Sequence, residues 1–446
     1  MEKDAENSDQ EYEFCTLGMF IIDEIHYPPP KPPVSNILGG AGTFAAIGAR
    51  LFSPAPLSKR ISWIVDAGSD IPATLIPLIQ SWETSVLLRI NSSRLTTRGL
   101  NSYDASQKRN FKYLTPKLTL DVPDLESQPA YLMSKSFHLI CSPLRCISIV
   151  KKLLHARKQL SPLAPKPIIV WEPVPYSCLP SELLNLTNCL PYVDICSPNH
   201  VELLNFFSEP SSSNENTDAA HCSLDAACIE SACEQLLAAM PLQTYALVIR
   251  CGSHGVYIAK NGGRSRRPSR RPSPSGRTRR KRPANHARGG LTPDIDMEAL
   301  LAGFDPEHDR EPLPIDPGTS LWLPAYFDTL NESKFQSKII DPTGAGNSFL
   351  GAVALALARG KVLEVAVCWG TVAASFMLEQ VGVPVCSKDT KKKEKIIKDD
   401  VTFTDNECEY EESWNGDSVS RRLDEFLQRV RCYKKDNVSF QTQFNI

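Results

Sequence analysis

Ile339-Ile340-Asp341-Pro342-Thr343-Gly344-Ala345-Gly346-Asn347-Ser348-Phe349 is the stretch on which the reading of this chain turns. Two isoleucines predict the end of a strand, and Asp-Pro predicts a turn. Three tiny residues then open the helical pattern of Leu350 to Ala358. Small residues at a helix start let backbone N–H groups approach a phosphate, and the helix dipole favours its charge. Glycine at such a junction also serves close packing, so this run alone leaves both readings open.

Outward from this turn, short apolar runs alternate with helix-period segments. Phe14 to Ile22, Ile61 to Val65, Val86 to Ile90, Phe137 to Cys141, Pro167 to Trp171 and Val193 to Cys196 read as strands. Ala41 to Leu51, Pro72 to Trp82, Arg145 to Lys158 and Ser181 to Asn188 read as helices between them. Tyr245 to Arg250 and Val256 to Ala259 read as two strands joined by a tight turn at Cys251–Gly255. Phe349 to Leu378 is apolar but broken by Arg359, Lys361 and Glu364, which predicts two core helices and no membrane span. Strand–helix alternation predicts a mostly parallel sheet covered on both faces, with ligands beyond the carboxyl ends of its strands.

The 446 residues include 49 Lys and Arg against 51 Asp and Glu, a net charge of −2. Residues 264–288 hold eleven basic residues and no acid, leaving 38 basic against 51 acidic elsewhere. A generic polyanion binder is excluded; basic character is confined to one segment. That Arg-, Ser- and Pro-rich tract lacks aromatic residues for base stacking. It reads as a disordered insert, with nuclear import, RNA or a protein partner as alternative roles. The polar, acidic start predicts no secretory or mitochondrial leader, hence a cytoplasmic protein with a nuclear alternative. None of the 14 cysteines forms a Cys-x-x-Cys pair, and His221, Cys222, Cys228 and Cys233 match no usual zinc spacing. The expected organisation is a disordered stretch 1–13 and a domain at 14–386 with a disordered insertion at 261–317. A charged flexible segment follows at 387–417, then a helix and tail at 418–446. Ser208 to Ala220 reads as a surface loop.

Together these motifs resemble the PfkB, ribokinase-like carbohydrate kinases, in their order, across about 370 residues. Gly344-Ala345-Gly346-Asn347 is similar to the family's Gly-Ala-Gly-Asp run, an anion hole followed by a catalytic aspartate. Gly18 to Asp23 resembles the first strand, whose terminal Asp binds substrate hydroxyls, and Gly39-Gly40 resembles the substrate-side diglycine. Asn199-His200-Val201-Glu202 resembles the Asn-x-x-Glu that helps hold magnesium. Arg250-Cys251-Gly252-Ser253-His254-Gly255 resembles the nucleotide loop, and the helix containing Thr371 the one beside adenine. The resemblance implies a three-layer α/β/α sandwich with a mostly parallel sheet and a small β-lid. It implies ATP and Mg²⁺ as cofactors and a sugar or nucleoside as acceptor. In this reading Gly344, Ala345, Gly346 and Asn347 are catalytic, and Arg250, Gly252, Gly255 and Thr371 bind nucleotide. Asp23, Gly39 and Gly40 bind the acceptor, while Asn199 and Glu202 hold the metal. Asp341 and Thr343 resemble the family's monovalent-cation loop, with turn capping as the equal alternative. Lys108 to Leu114 resembles a lid strand that pairs two subunits, implying a homodimer. Thr96-Thr97-Arg98-Gly99 is read as a surface turn, the alternative being contact with acceptor from the lid.

The departures matter as much. Asn347 stands where the family has its aspartate, and a carboxamide takes no proton at neutral pH. General-base assistance is worth about 10²–10⁴ in rate, so a slow kinase is expected. The alternative is a pseudokinase, a nucleotide- or sugar-binding scaffold or an RNA- or particle-associated factor. Phe44 replaces a sugar-binding Asn, Thr371 an Asn beside adenine, and Arg250 a Thr. The Asn347 and Phe44 departures resemble a fungal subgroup, the yeast killer-maintenance proteins.

Overall fold

The computed structural model describes residues 11–103, 109–208, 224–240, 243–264, 315–316, 318–329, 333–390 and 410–443. The Arg tract beyond Arg264, most of the insertion at 261–317, the Ser208–Ala220 loop beyond Ser208, and His221 and Cys222 lie outside the described residues.

Seventeen strands are described: β1 Phe14–Thr16, β2 Ile21–His26, β3 Val34–Gly39, β4 Ile61–Gly68, β5 Ser85–Asn91, β6 Arg98–Tyr103, β7 Arg109–Tyr113, β8 Ser136–Cys141, β9 Ile168–Pro173, β10 Ile195–Cys196, β11 Ala246–Arg250, β12 Val256–Lys260, β13 Gly263–Arg264, β14 Ile315–Asp316, β15 Thr319–Leu323, β16 Cys386–Thr390 and β17 Tyr410–Trp414. The helices are α1 Ala41–Leu51, α2 Leu75–Ser81, α3 Pro123–Glu126, α4 Pro129–Leu132, α5 Pro143–Leu160, α6 Leu183–Cys189, α7 His200–Asn205, α8 Ala226–Ala239, α9 Ala345–Ala358, α10 Leu363–Leu378 and α11 Val419–Gln443.

Nine strands form the central sheet in the order β15-β12-β11-β10-β9-β8-β1-β4-β5. From β11 to β5 every pairing is parallel, while β12 and β15 run antiparallel at one edge. Successive side chains on a strand point to opposite faces. Phe14, Trp63, Val170, Val248 and Ile258 accordingly join one buried cluster with α1, α9 and α10. Their neighbours Cys15, Ile64, Trp171, Ile249 and Tyr257 join a second cluster with α5 and α8. The result is the expected three-layer α/β/α sandwich. Four further strands, β3-β2-β6-β7, make a separate small sheet, the lid. The insertion at 261–317 connects β12 to β15, at the sheet's edge, where added chain disturbs no central pairing.

Several expectations change. Phe14–Ile22 is not one strand: β1 ends at Thr16, and the chain crosses from the central sheet to the lid before Ile21. Gly18 is the break. Its N–H donates to Thr16 Oγ1 at 3.0 Å, and a side chain there would strike the backbone of Gly42. Asp23 therefore sits on a lid strand. Ile339–Ile340 is no strand end either; a 3₁₀ helix, Ser333–Lys338, precedes the turn, and Ile340 N–H donates to Leu378 O at 2.7 Å. Thr96–Gly99 is not a surface turn, because Thr96 and Thr97 are buried and Arg98 begins β6. The segment 387–417 is ordered at both its ends, where β16 pairs antiparallel with β17 and Trp414 enters the core. The terminal helix spans Val419–Gln443.

Candidate functional site

α1 and α9 lie against each other, and small residues let them. A side chain on Gly48 would strike Ser348 O, and one on Gly351 would strike Ala45 O. This contact sets the two glycine-led helix starts side by side. Gly344 caps α9 in the left-handed region, φ 82°, which a side chain would strain. Its α-carbon lies against the ring of Phe44, which is buried. Phe44, expected in place of a sugar-binding Asn, thus packs against the turn. Thr343 N–H donates to Asp341 Oδ1 at 3.0 Å, an Asx turn that leads into the glycines. Asp341 thereby does the capping that was the alternative to a cation loop.

Behind that turn stands a charged cluster. Glu172, at the end of β9, is 7% exposed. It accepts from Asn347 Nδ2 at 2.5 Å through Oε2 and from Arg250 Nη2 at 2.5 Å through Oε1. Arg250 Nη2 also donates to Ser197 O at 2.9 Å and lies 3.7 Å from Glu202 Oε2. Arg250 Nη1 is the atom that a side chain on residue 346 would strike, so glycine there admits the guanidinium. Asn199 and Glu202 close a capping box on α7: Glu202 N–H donates to Asn199 Oδ1, and Asn199 N–H to Glu202 Oε2, each at 2.8 Å. Burial pushes Glu202 up to about 7; Arg250 opposes this and Glu172 adds to it. His138, fully buried, has Nε2 4.0 Å from Glu172 and Nδ1 2.9 Å from Thr16 Oγ1. Burial and then Arg250 push it down to about 3, so it is neutral.

In front of the cluster is a cavity of about 340 Å³. Gly252, Ser253 and Gly255 border it from one side and Ala345 and Gly346 from another, with Arg250 between them. Tyr326, Phe327 and Phe349 make its walls apolar, and Thr371 lines it with its hydroxyl turned to Val367 O at 3.0 Å. All four residues expected to bind nucleotide therefore meet the anion turn at one space. Among the residues expected to bind the acceptor, Asp23 Oδ2 nests against Gly39, and Gly40 precedes α1. A smaller cavity of about 110 Å³ lies beside them. Met19 and Ile21, Ala41 at the start of α1, Tyr113 of the lid, and Lys117 and Arg145 border it. Val174, two residues beyond Glu172, lines it too.

Magnesium fits this donor set poorly. Of the two expected ligands, Glu202 faces the Arg250 guanidinium, as the nearby Glu172 also does, and Asn199 Oδ1 is bound to a backbone N–H. Among the described residues no group of three His, Cys, Asp or Glu could hold a metal ion. Glu172 escaped the sequence reading. A lone acid between Trp171 and Pro173 reads as a strand terminus, and its two partners lie 78 and 175 residues away.

In solved structures, ribokinase from Giardia lamblia superposes with a TM-score of 0.53, at 14% identity, over 83% of this chain and 94% of that one. A probable sugar kinase from Rhizobium etli gives 0.52, at 12% identity, over 84% and 94%. The fold is thus ribokinase-like. A family model described as pfkB family carbohydrate kinase matches residues 328–390. Protein MAK32 of Saccharomyces cerevisiae is 33% identical over 83% of this chain and 85% of its own. An uncharacterised protein of Schizosaccharomyces pombe is 31% identical over 97% and 98%. Inositol 3-kinase of Arabidopsis thaliana is 31% identical over 26% of this chain and 31% of its own. The chain belongs to the PfkB carbohydrate-kinase family, in the divergent fungal branch of the two yeast proteins.

Proposed function

We propose that the protein transfers the terminal phosphoryl group of ATP to a hydroxyl of a sugar or nucleoside, a cyclitol being included because a plant relative is named for inositol. One observation supports this above others. The Arg250–Gly255 loop and the Gly344–Gly346 turn border a single cavity, as a nucleotide's phosphates and base require. Its apolar walls suit a base, and the backbone N–H groups at the start of α9 suit the phosphoryl oxygens. The acceptor lies on the Asp23 and Gly39-Gly40 side, beneath the lid.

Asn347 does not take the acceptor's proton; Glu172 does. The hydroxyl oxygen bonds to the γ-phosphorus, the bond from that phosphorus to the bridging oxygen breaks, and ADP leaves. The proton passes to the Glu172 carboxylate that Asn347 holds at 2.5 Å. A carboxylate with two donors is a weak base, but a loose transition state asks for little proton removal before it is reached. Turnover is therefore slow. A second reading, a nucleotide binder without turnover, is favoured by the same Asn347 and by Arg250's hold on Glu172.

The test is ATP consumption with a panel of sugars, nucleosides and cyclitols, alongside calorimetric ATP binding. Turnover of one acceptor class supports the kinase. Binding with no turnover across the panel supports the second reading, and no binding removes both.

A further inference from the structure

Arg250 holds an unusual place. Its guanidinium stands between two buried carboxylates, 2.5 Å from Glu172 and 3.7 Å from Glu202, and against Gly346 of the anion turn. It also lines the cavity that Gly252 and Thr371 share with that turn. A positive group with acids on one side and that cavity on the other is the arrangement a divalent cation makes when it bridges protein carboxylates to a nucleotide. On the reading of this site as a nucleotide site, we propose that Arg250 is a built-in substitute for that cation. The protein then binds nucleoside triphosphate without a divalent metal.

The surrounding contacts favour this. Nη2 is anchored by Glu172 and Ser197 O, which fixes the plane of the guanidinium without using Nη1. Nη1 is the nitrogen that lies beside Gly346, and the missing side chain at 346 leaves it that place. A guanidinium offers donors in a fixed fork, matched to phosphoryl oxygens and always charged. The main chain also holds the residue in place: β11 ends at Arg250, which bridges to Asn199 at the start of α7. Cation and acids are thus set by one junction. A second cation seated between the same two acids would meet Arg250 within a few ångströms, and like charges at that range repel.

The proposal is tested by calorimetric titration of the full chain with ATP, once in excess EDTA and once in excess Mg²⁺. Affinity in EDTA is expected within about threefold of that in Mg²⁺. Arg250→Thr is expected to weaken ATP about 10- to 100-fold in EDTA and to regain part of it in Mg²⁺, now that the acids are free. Arg250→Lys keeps the charge without the fork and should fall between. Mn²⁺ titrated alone is expected to give no binding to the wild type and measurable binding to Arg250→Thr. Wild-type binding that requires Mg²⁺, or Mn²⁺ binding to the wild type that Glu202→Gln removes, overturns the proposal. The wild-type titrations decide it even where Arg250→Thr does not fold. Failure of ATP to bind under both conditions is a different result: it removes the nucleotide reading itself.

Discussion

At residue 347 an amide stands where the resemblance implies an aspartate, and it donates to the Glu172 carboxylate at 2.5 Å. The exchange has a consequence that a simple reversion misses. Asn347→Asp would set two carboxylates at the 2.5 Å now spanned by a donor and an acceptor. Like charges so close cannot both ionise, so one would hold a proton. Asn347→Asp alone is therefore expected to give no gain in turnover and a lower melting temperature. Glu172→Gln alone is expected to lower turnover at saturating ATP about 10²–10⁴-fold, the usual worth of a general base. The double variant, Glu172→Gln with Asn347→Asp, returns one carboxylate to the helix start and should recover most of that loss. The acceptor that the wild type uses serves as substrate for all three. A gain from Asn347→Asp alone, or full activity in Glu172→Gln, would show that Glu172 is not the base.

At the level of elements, the lid depends on one ion pair at its root. Asp70, in the loop after β4, accepts from Thr96 N–H at 2.7 Å and from Arg98 Nε at 2.6 Å. Arg98 opens β6, the strand that pairs with Asp23's strand. Burial raises the Asp70 pKa, but Thr96 and then Arg98 lower it further, to about 2. A carboxylate whose folded pKa lies below its unfolded value stabilises the fold above the unfolded value, near 4. That contribution fades as pH falls toward about 2. Asp70→Asn should melt below the wild type at pH 6, with the gap narrowing steadily between pH 4 and 2.5. A constant gap would mean that Asp70 acts by packing alone. The sequence made this layer of structure partly legible. Period and punctuation placed α1, α9 and α10 and most central strands. They missed the crossing at Gly18, because apolar residues continue through it, and the root at Thr96–Arg98, because threonines beside an arginine look like surface.

For the molecule as a whole, what local pattern could not reveal is what distant segments supply to each other. The glycine runs were readable because backbone geometry demands them, whereas Glu172, Arg250 and Asn347 come together only through the order of the strands. The same holds where the chain's late segment closes on its first helix. Arg50 is fully buried on α1, in the middle of apolar packing, and its charge is met from 362 residues away. Glu412 of β17 receives Nη1 and Nη2 at 2.7 Å each, while Nε donates to Trp82 O at 2.6 Å. Trp414, buried on the same strand, has its ring 5.5 Å from the guanidinium. A stretch dense in acid and lysine shows no hydrophobic period, so its reading as a flexible tail followed naturally. Yet removing one partner of a buried pair leaves an uncompensated charge and costs about 3–5 kcal/mol. Glu412→Ala is expected to lower the melting temperature sharply, and Glu412→Gln less so, since its oxygen still accepts one bond. Replacing both partners, Arg50→Met with Glu412→Leu, should recover much of the loss, because two apolar groups leave no charge to solvate. ATP binding at 25 °C should survive in the double variant, as neither residue borders the cavity shared by the Arg250–Gly255 loop and the start of α9. A melting temperature unmoved by Glu412→Ala would mean that the hairpin merely rests on the sandwich, and that α1 holds its arginine by other means.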